Sequence, residues 1–210
     1  MPLASVPEPF DDPAWIFEPK WDGFRALAFI ERRRCALVSR RGYAYKAWPA
    51  LARDVADSVD CSNAIFDGEL CCLSSDGRPQ FYDLMFRRSV PFLMVFDVLW
   101  LNGRDLRGLP LSRRKAMLSR ILSRADSRVR YVDHIVGRGM DLFHATCKYD
   151  LEGVVAKWRG GTYQTGPHTS WVKIRNPHYS QWDGRRDLFE ARRDSAERRM
   201  RWVRPKLALR

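Results

Sequence analysis

The sequence lacks the cysteine and histidine patterns that mark a metal site or a disulfide scaffold. Its five cysteines are odd in number, no two of them form a Cys-x-x-Cys pair, and the four histidines have no metal-ligand spacing with them. We therefore expect neither a structural zinc site nor disulfide bonds. Cys71 and Cys72 are neighbours, which in a strand would place them on opposite faces, one of them in the core.

The chain also lacks a membrane span and a signal peptide. Its longest apolar run, residues 90–101, is interrupted by Asp97, and it is shorter than the roughly 20 residues that a bilayer crossing requires. The first twelve residues carry prolines and acids in place of the basic and apolar segments of a signal peptide. We find no internal repeat. These absences predict a cytoplasmic protein with no membrane span.

Positive charge is what the chain has in excess. Its 37 lysines and arginines outnumber 25 acids, which gives a formal charge of +12 and a positive field that attracts polyanions. Nucleic acid is therefore the first candidate partner, and an anionic membrane surface is the second. With 210 residues, 45% of them apolar, the chain is long enough to bury the core of one globular domain.

Hydrophobic periodicity predicts both strands and helices. We predict strands at residues 26–30, 35–39, 64–73, 91–101, 154–157 and 170–174, with a hairpin turn at 31–34. We predict helices at residues 48–59 and 112–123, the second with Ser112 as its N-cap. This order favours an α+β fold of antiparallel sheets flanked by helices. Arginine pairs alternate with acids in residues 183–210, which predicts a basic C-terminal helix and tail.

Charged residues recur where the predicted strands begin, end or should be apolar. Before, within and beside these strands stand Lys20, Asp22, Arg25, Asp67, Glu69, Asp97, Glu152, Lys157, Lys173 and Arg175. If these side chains share one side of the sheets, they form a polar cleft of mixed sign. Such a cleft suits a phosphorylated ligand with a divalent cation, because lysine and arginine bind phosphate and carboxylates hold the metal.

The same segments carry a resemblance to a known family. KWDGFR at 20–25, SRRG at 39–42, FDGE at 66–69, FD at 96–97, EGVVAK at 152–157 and WVKIR at 171–175 follow in order. Together they resemble the motifs of ATP-dependent DNA ligases and related covalent nucleotidyltransferases. The flanking sequence is most similar to the ligase domain of bacterial end-joining and repair ligases. The resemblance implies an ATP-grasp-like adenylation domain over residues 1–182, an ATP and Mg²⁺ (or Mn²⁺) requirement, and a role in DNA repair.

The resemblance also implies a role for each matched residue. Lys20 would attack the α-phosphate of ATP and carry AMP; cations and a metal beside an amine favour its neutral, nucleophilic form. Glu18 would accept a hydrogen bond from the adenine amino group, and Phe96 would stack on the base, with a purely structural role in the core as the alternative for Phe96. Arg25 and Glu69 would hold the ribose.

Phosphate and metal binding fall to the remaining residues. Lys157 and Lys173 would contact the α-phosphate, and Glu152 would ligate the metal together with Glu69. Arg40 would engage the 5′-phosphate of a nick. Arg175 stands where the family usually has lysine, which keeps the charge and adds a forked donor group.

The sequence also departs from the family. Only residues 176–210 follow the last motif, so we expect no oligonucleotide-binding (OB) domain in this chain. We expect a monomer that acts on nicked double-stranded DNA beside repair or end-joining proteins. Two alternatives stay open: a module that binds nucleotide or DNA ends but depends on a partner for sealing, and an RNA ligase or capping-type nucleotidyltransferase. The tail is a solvated or partner-facing helix, or a segment that contacts the phosphate backbone.

Overall fold

A computed structural model describes residues 1–122, 127–164, 169–182 and 185 of the chain. The residues up to His178 form one compact unit, and the short 3-10 helix Ser180–Trp182 belongs to a second. The predicted basic helix and tail, residues 183–210, lies outside the described residues apart from Arg185. The predicted boundary at residue 182 therefore stays a prediction.

The first unit contains eleven strands and four α-helices among its described residues. The strands are β1 (Ala4–Ser5), β2 (Trp15–Pro19), β3 (Phe24–Glu31), β4 (Arg34–Ser39), β5 (Asn63–Cys71), β6 (Phe92–Leu101), β7 (Arg104–Asp105), β8 (Val129–Tyr131), β9 (Ile135–Val136), β10 (Gly153–Trp158) and β11 (Trp171–Arg175). The helices are α1 (Pro49–Asp57), α2 (Phe81–Met85), α3 (Leu111–Ile121) and α4 (Gly139–Lys148). No helix within the described ranges is long and apolar enough to cross a bilayer.

The strands form two sheets, and the chain passes from one to the other between β2 and β3. The first sheet has the order β1-β11-β10-β2-β9, and the second has the order β4-β3-β5-β6-β7 with β8 added beside β6. All pairs are antiparallel except β1 with β11 and β6 with β8. The predicted α+β fold with antiparallel sheets is confirmed.

The predicted hairpin is the connection between β3 and β4. Arg32 and Arg33 both have positive φ angles, 48° and 59°, as the two central residues of a type I′ turn require. Alternating residues of β3, including Ala26, Ala28 and Ile30, are buried in the main apolar core. The sequence located this hairpin because the strand period and the polar turn agree.

Both predicted helices are present, but the predicted N-cap of the second is wrong. Helix α3 begins at Leu111 after Pro110, and no side chain caps its N-terminus. The N–H groups of Leu111 and Ser112 instead donate to the carbonyls of Gly161 and Arg159, at 2.9 and 3.1 Å. The N–H groups at the start of the helix thus find their acceptors in backbone carbonyls that are distant in sequence.

The prediction that only one of the two adjacent cysteines is in the core is also wrong. Cys71 and Cys72 are both buried and belong to different apolar clusters. Apolar residues therefore cover both faces of the chain where β5 ends. All five cysteines are free thiols.

A fully buried ion pair joins β6 to α3. Asp97 accepts hydrogen bonds from Arg114 Nε at 2.8 Å and from Nη2 at 2.9 Å, and both side chains are 0% exposed. Arg114 also donates to the carbonyl of Gly161 at 3.1 Å. Burial raises the pKa of Asp97, against the opposing effect of the Arg114 guanidinium. Neither charge has an alternative partner in water, so each depends on the other.

We predict that Arg114→Met lowers the free energy of unfolding by about 3–5 kcal/mol, because it leaves the Asp97 carboxylate buried without its partner. Urea denaturation of the variant and the wild type measures the change. The double variant Asp97→Asn/Arg114→Met removes both charges and should recover part of the loss. A single variant as stable as the wild type would show that the pair does not hold α3 on the sheet.

Candidate active site

A cleft of about 480 Å³ opens beside the point where the chain passes between the sheets. Its walls are Leu3, Glu18, Pro19, Lys20, Trp21, Arg25, Glu69, Phe96, Val132, Val155, Lys157 and Trp171. These residues come from strands of both sheets and from the connection that joins β2 to β3. Five charged or aromatic residues that the sequence analysis named as nucleotide contacts thus line a single cleft together with the predicted nucleophile, Lys20.

Backbone contacts hold the connection that carries Lys20. The Lys20 N–H donates to the carbonyl of Gly153 at 2.8 Å, which anchors the connection to the first sheet. Gly23 lies against the second sheet, and a Cβ added there would stand 1.9 Å from the carbonyl oxygen of Leu70. Only glycine allows this close approach. The glycine of the KWDGFR segment therefore fixes where Lys20 leaves the backbone.

The Lys20 amine contacts a buried carboxylate. Its Nζ donates to Oε2 of Glu152, which directly precedes β10. Glu152 is buried, whereas the Lys20 side chain keeps 18% of its surface exposed. The predicted nucleophile and the predicted metal ligand are thus adjacent, and the amine can still be reached from the cleft.

Glu18 is buried between two lysines. Its Oε1 accepts a hydrogen bond from Lys115 Nζ at 2.7 Å, and its Oε2 accepts one from Lys157 Nζ. Although burial raises the pKa of Glu18, the charges of Lys115 and Lys157 outweigh burial, and the pKa lies below its usual value. Because a carboxylate can accept about four hydrogen bonds, Glu18 retains acceptor capacity toward the cleft.

Two aromatic rings complete the surroundings of Lys157. Its Nζ lies 4.3 Å from the ring centre of Phe96 and 4.2 Å from that of Trp171, and the two rings meet edge to face. The pairing of β5 with β6 shifts register so that Phe96 has no partner across the sheet. Such bulges re-aim side chains near functional sites, and here the bulge accompanies a ring in the wall of the cleft.

Arg25 pairs with Asp67, which the sequence analysis placed in the polar cleft without giving it a ligand contact. Its guanidinium donates to both oxygens of Asp67, at 3.0 and 2.6 Å, and to the Met1 carbonyl at 2.6 Å. Tyr163 donates its hydroxyl to the same carboxylate at 2.8 Å. Burial and the Asp67 charge raise the pKa of Tyr163. Arg25 is therefore held rigidly, with its guanidinium 5.6 Å from the ring centre of Phe96.

Glu69, in the cleft wall, is a carboxyl group with altered acidity. It lies opposite Arg25 in the pairing of β3 with β5. Burial raises its pKa to about 8, and the nearby Lys20 and Arg25 reduce this effect only in part, while Glu152 adds to it. Glu69 therefore carries a proton over much of the neutral range in the ligand-free protein.

The remaining predicted residues lie outside the cleft walls. Lys173 is close enough to Lys20 and Glu152 for their charges to act on it; burial, then Arg175 and Lys20, lower its pKa. Arg175 is exposed at the end of β11, and Arg40 is exposed directly after β4. The structure thus brings Lys173 near the amine and leaves Arg40 and Arg175 at the surface.

The two carboxylates beside Lys20 fit a divalent cation whose remaining ligands come from elsewhere. Among the described residues, no group of three or more histidines, cysteines or acids could hold a metal by itself. Glu152 and Glu69 are close enough to influence each other's charge. Magnesium commonly takes one or two carboxylates and completes its shell with phosphate oxygens and water, which is what this pair offers.

Sequence reasoning missed several residues that line the cleft or contact the residues that line it. Lys115, Trp171 and Tyr163 were not assigned a role, and strand β2 itself, which carries Glu18, was not predicted. Trp171 was visible inside the last motif, WVKIR. Lys115 gave no signal, because it follows two arginines in a helix that looks solvated, yet it is 2% exposed.

Comparison with known proteins finds similar chains among DNA ligases. The multifunctional non-homologous end joining protein LigD of Pseudomonas aeruginosa is 31% identical over 180 residues, which cover 82% of this chain and 21% of that protein. The SPbeta prophage-derived DNA ligase-like protein LigB of Bacillus subtilis is 28% identical, over 86% of this chain and 68% of that protein. This chain thus spans about one fifth of the LigD protein.

A solved structure, mycobacterial DNA ligase D complexed with ATP and MES, superposes with a TM-score of 0.69 at 32% identity, over 83% of this chain and 59% of that one. The family model described as the ATP dependent DNA ligase domain matches residues 3–175. That match takes in every motif from KWDGFR to WVKIR. The predicted resemblance is confirmed, and the chain belongs to the ATP-dependent DNA ligase domain family.

Proposed function

We propose that the protein uses ATP to adenylate Lys20 and passes the AMP to the 5′-phosphate of nicked DNA. The observation that carries this proposal is the position of the Lys20 amine, which lies in a cleft beside Glu152 with Glu18, Arg25 and Lys157 in the same walls. One amine that is reachable from the cleft, among cations and carboxylates, suits transfer of a nucleotide to a side chain.

In the proposed step, the Lys20 nitrogen loses a proton and attacks the α-phosphorus of ATP. The new N–P bond replaces the bond to the β-phosphate oxygen, and pyrophosphate leaves. Lys157 and Lys173 neutralise charge on the phosphate oxygens as the transfer proceeds. A divalent cation on Glu152 and Glu69 would add positive charge at the phosphates and compete with Lys20 for the Glu152 carboxylate.

The nucleoside is held by the other walls of the cleft. Glu18 accepts a hydrogen bond from the adenine amino group through its remaining acceptor capacity, and Phe96 stacks on the base. Arg25 and Glu69 hold the ribose. These roles extend the family assignment to individual residues, and the positions of all four side chains in one cleft support them.

The proposed polymer is nicked double-stranded DNA. The chain's charge of +12 favours a polyanion, and the exposed Arg40 is available to a 5′-phosphate. The names of the relatives, end joining proteins and a DNA ligase-like protein, point to DNA in place of RNA. We propose that the protein acts as a monomer in the cytoplasm, where free thiols persist.

A second candidate function is a module that binds nucleotide or DNA ends and depends on a partner for sealing. This chain covers 59% of the mycobacterial ligase structure that it matches. In this candidate, sealing requires residues beyond the matched part, and a partner protein supplies them. If Lys20 is adenylated but the nick is joined only after a purified repair partner is added, this candidate is favoured over a complete ligase.

We predict that α-labelled ATP with Mg²⁺ labels the wild-type protein and that Lys20→Ala removes the label, because the proposed step forms its bond at the Lys20 amine in the cleft. Denaturing gel electrophoresis after the incubation detects the covalent product. Lys46→Ala changes an exposed lysine outside the cleft walls and serves as the matched control. An unlabelled wild type, or a labelled Lys20→Ala variant, would refute the proposal. Labelled GTP in a parallel reaction tests the base.

We predict that Glu69→Gln stabilises the protein more at pH 9 than at pH 6. Burial raises the pKa of Glu69 to about 8, so the folded protein keeps a proton that the unfolded chain releases near its ordinary value. The stability of the wild type should fall as the pH rises through this window, whereas glutamine stays neutral. Thermal unfolding in EDTA measures the difference, with exposed Glu31→Gln as the control. An equal difference at both pH values would contradict the assignment.

A further inference from the structure

Lys115, to which the sequence analysis gave no role, contacts Glu18 of the cleft wall and is held by further contacts. Lys115 projects from α3, is 2% exposed, and donates to Glu18 Oε1 at 2.7 Å and to the Val132 carbonyl at 2.6 Å. Its Nζ also lies 4.1 Å from the ring centre of Tyr131. An ammonium has three donors, so no donor of Lys115 is left over for a ligand.

The contacts of Lys157 are of a different kind. It shares the Glu18 carboxylate, but its other neighbours are the faces of Phe96 and Trp171. Contacts of an ammonium with aromatic faces are weaker than hydrogen bonds to an anion and can be exchanged for a phosphate oxygen. Lys157, unlike Lys115, also lines the cleft.

The charges of the three residues do not balance. Glu18 supplies one negative charge and the two lysines supply two positive charges, so this part of the wall carries an excess of +1. Since Lys115 is fixed on Glu18 by its other partners, it satisfies that carboxylate by itself. The charge of Lys157 is then the one that remains for a ligand.

We infer that Lys115 is a positioning residue that neutralises Glu18 and thereby leaves Lys157 free to move onto the phosphates of the nucleotide. The inference rests on the proposed function for the identity of the nucleotide, but it concerns phosphate binding alone. Without Lys115, Glu18 would keep Lys157 as its only counter-ion. The cleft would then lose a phosphate contact although Lys157 is still present.

Inorganic tripolyphosphate is the probe that separates this role from base recognition, because it carries the phosphates of ATP and lacks adenine. We expect Lys115→Met to weaken tripolyphosphate binding roughly tenfold in calorimetric titration, as the loss of one charge-assisted contact implies. In the double variant Glu18→Gln/Lys115→Met no carboxylate retains Lys157, so we expect most of the affinity to return.

A structural role alone predicts a different series. Damage to the fold would make the double variant as weak as Lys115→Met or weaker, whereas the inference requires the second substitution to restore binding. A triple variant that also carries Lys157→Met should lose the restored affinity. Lys148→Met, which replaces an exposed lysine at the end of α4, is the matched control and should bind as the wild type does. Thermal unfolding of each variant verifies that it is folded.

Two results would overturn the inference: a folded Lys115→Met variant that binds tripolyphosphate as tightly as the wild type, or a loss that Glu18→Gln does not reverse. A wild type without measurable tripolyphosphate affinity would overturn it as well. Labelling of Lys20 by ATP is measured on the same samples. Absence of that label contradicts the proposed function and leaves the tripolyphosphate series to decide the role of Lys115.

Discussion

The close passage of the chain between the two sheets is the constraint on which the site depends. The connection after β2 is tied to the first sheet through the Lys20 N–H and is pressed against the second at Gly23, where no side chain would fit. Lys20 therefore leaves a backbone that is fixed at both ends. Such preorganisation favours a nucleophile, because the amine is already held near the position from which it attacks the substrate.

Around that amine, burial and the charges of neighbouring residues have opposing effects on the ionisation of the buried acidic groups. Buried Asp67, Asp97 and Glu18 each face at least one cation, because an unpaired charge in the interior is costly. Glu69 shows the opposite outcome. Its cationic neighbours offset the effect of burial on its pKa only in part, so the pKa of its carboxyl group is about 8. The cleft thus contains both fixed pairs and groups that can exchange partners, and the second kind is what a charged substrate requires.

Sequence reasoning located the parts of the fold in which local signals agree. The hairpin of β3 and β4 combines alternating apolar residues with a polar turn. The motifs predicted that Lys20, Glu69 and Glu152 share one site. It missed β2, because Glu18 and Pro19 break the apolar pattern of a strand whose carboxylate is buried against lysines from distant segments. The same cause hid Lys115 and Arg114, since a charged helix residue looks solvated until its partner is known. The N-cap at Ser112 failed because backbone remote in sequence replaces the cap.

The central claim is that the Lys20 amine, and no other, forms a bond to the nucleotide. Peptide mapping by mass spectrometry after incubation with ATP and Mg²⁺ tests it most directly, because the cleft region also contains Lys115, Lys157 and Lys173. The account predicts an AMP adduct on the peptide that carries Lys20 and on none of these three. An adduct on one of them, with Lys20 unmodified, would contradict it.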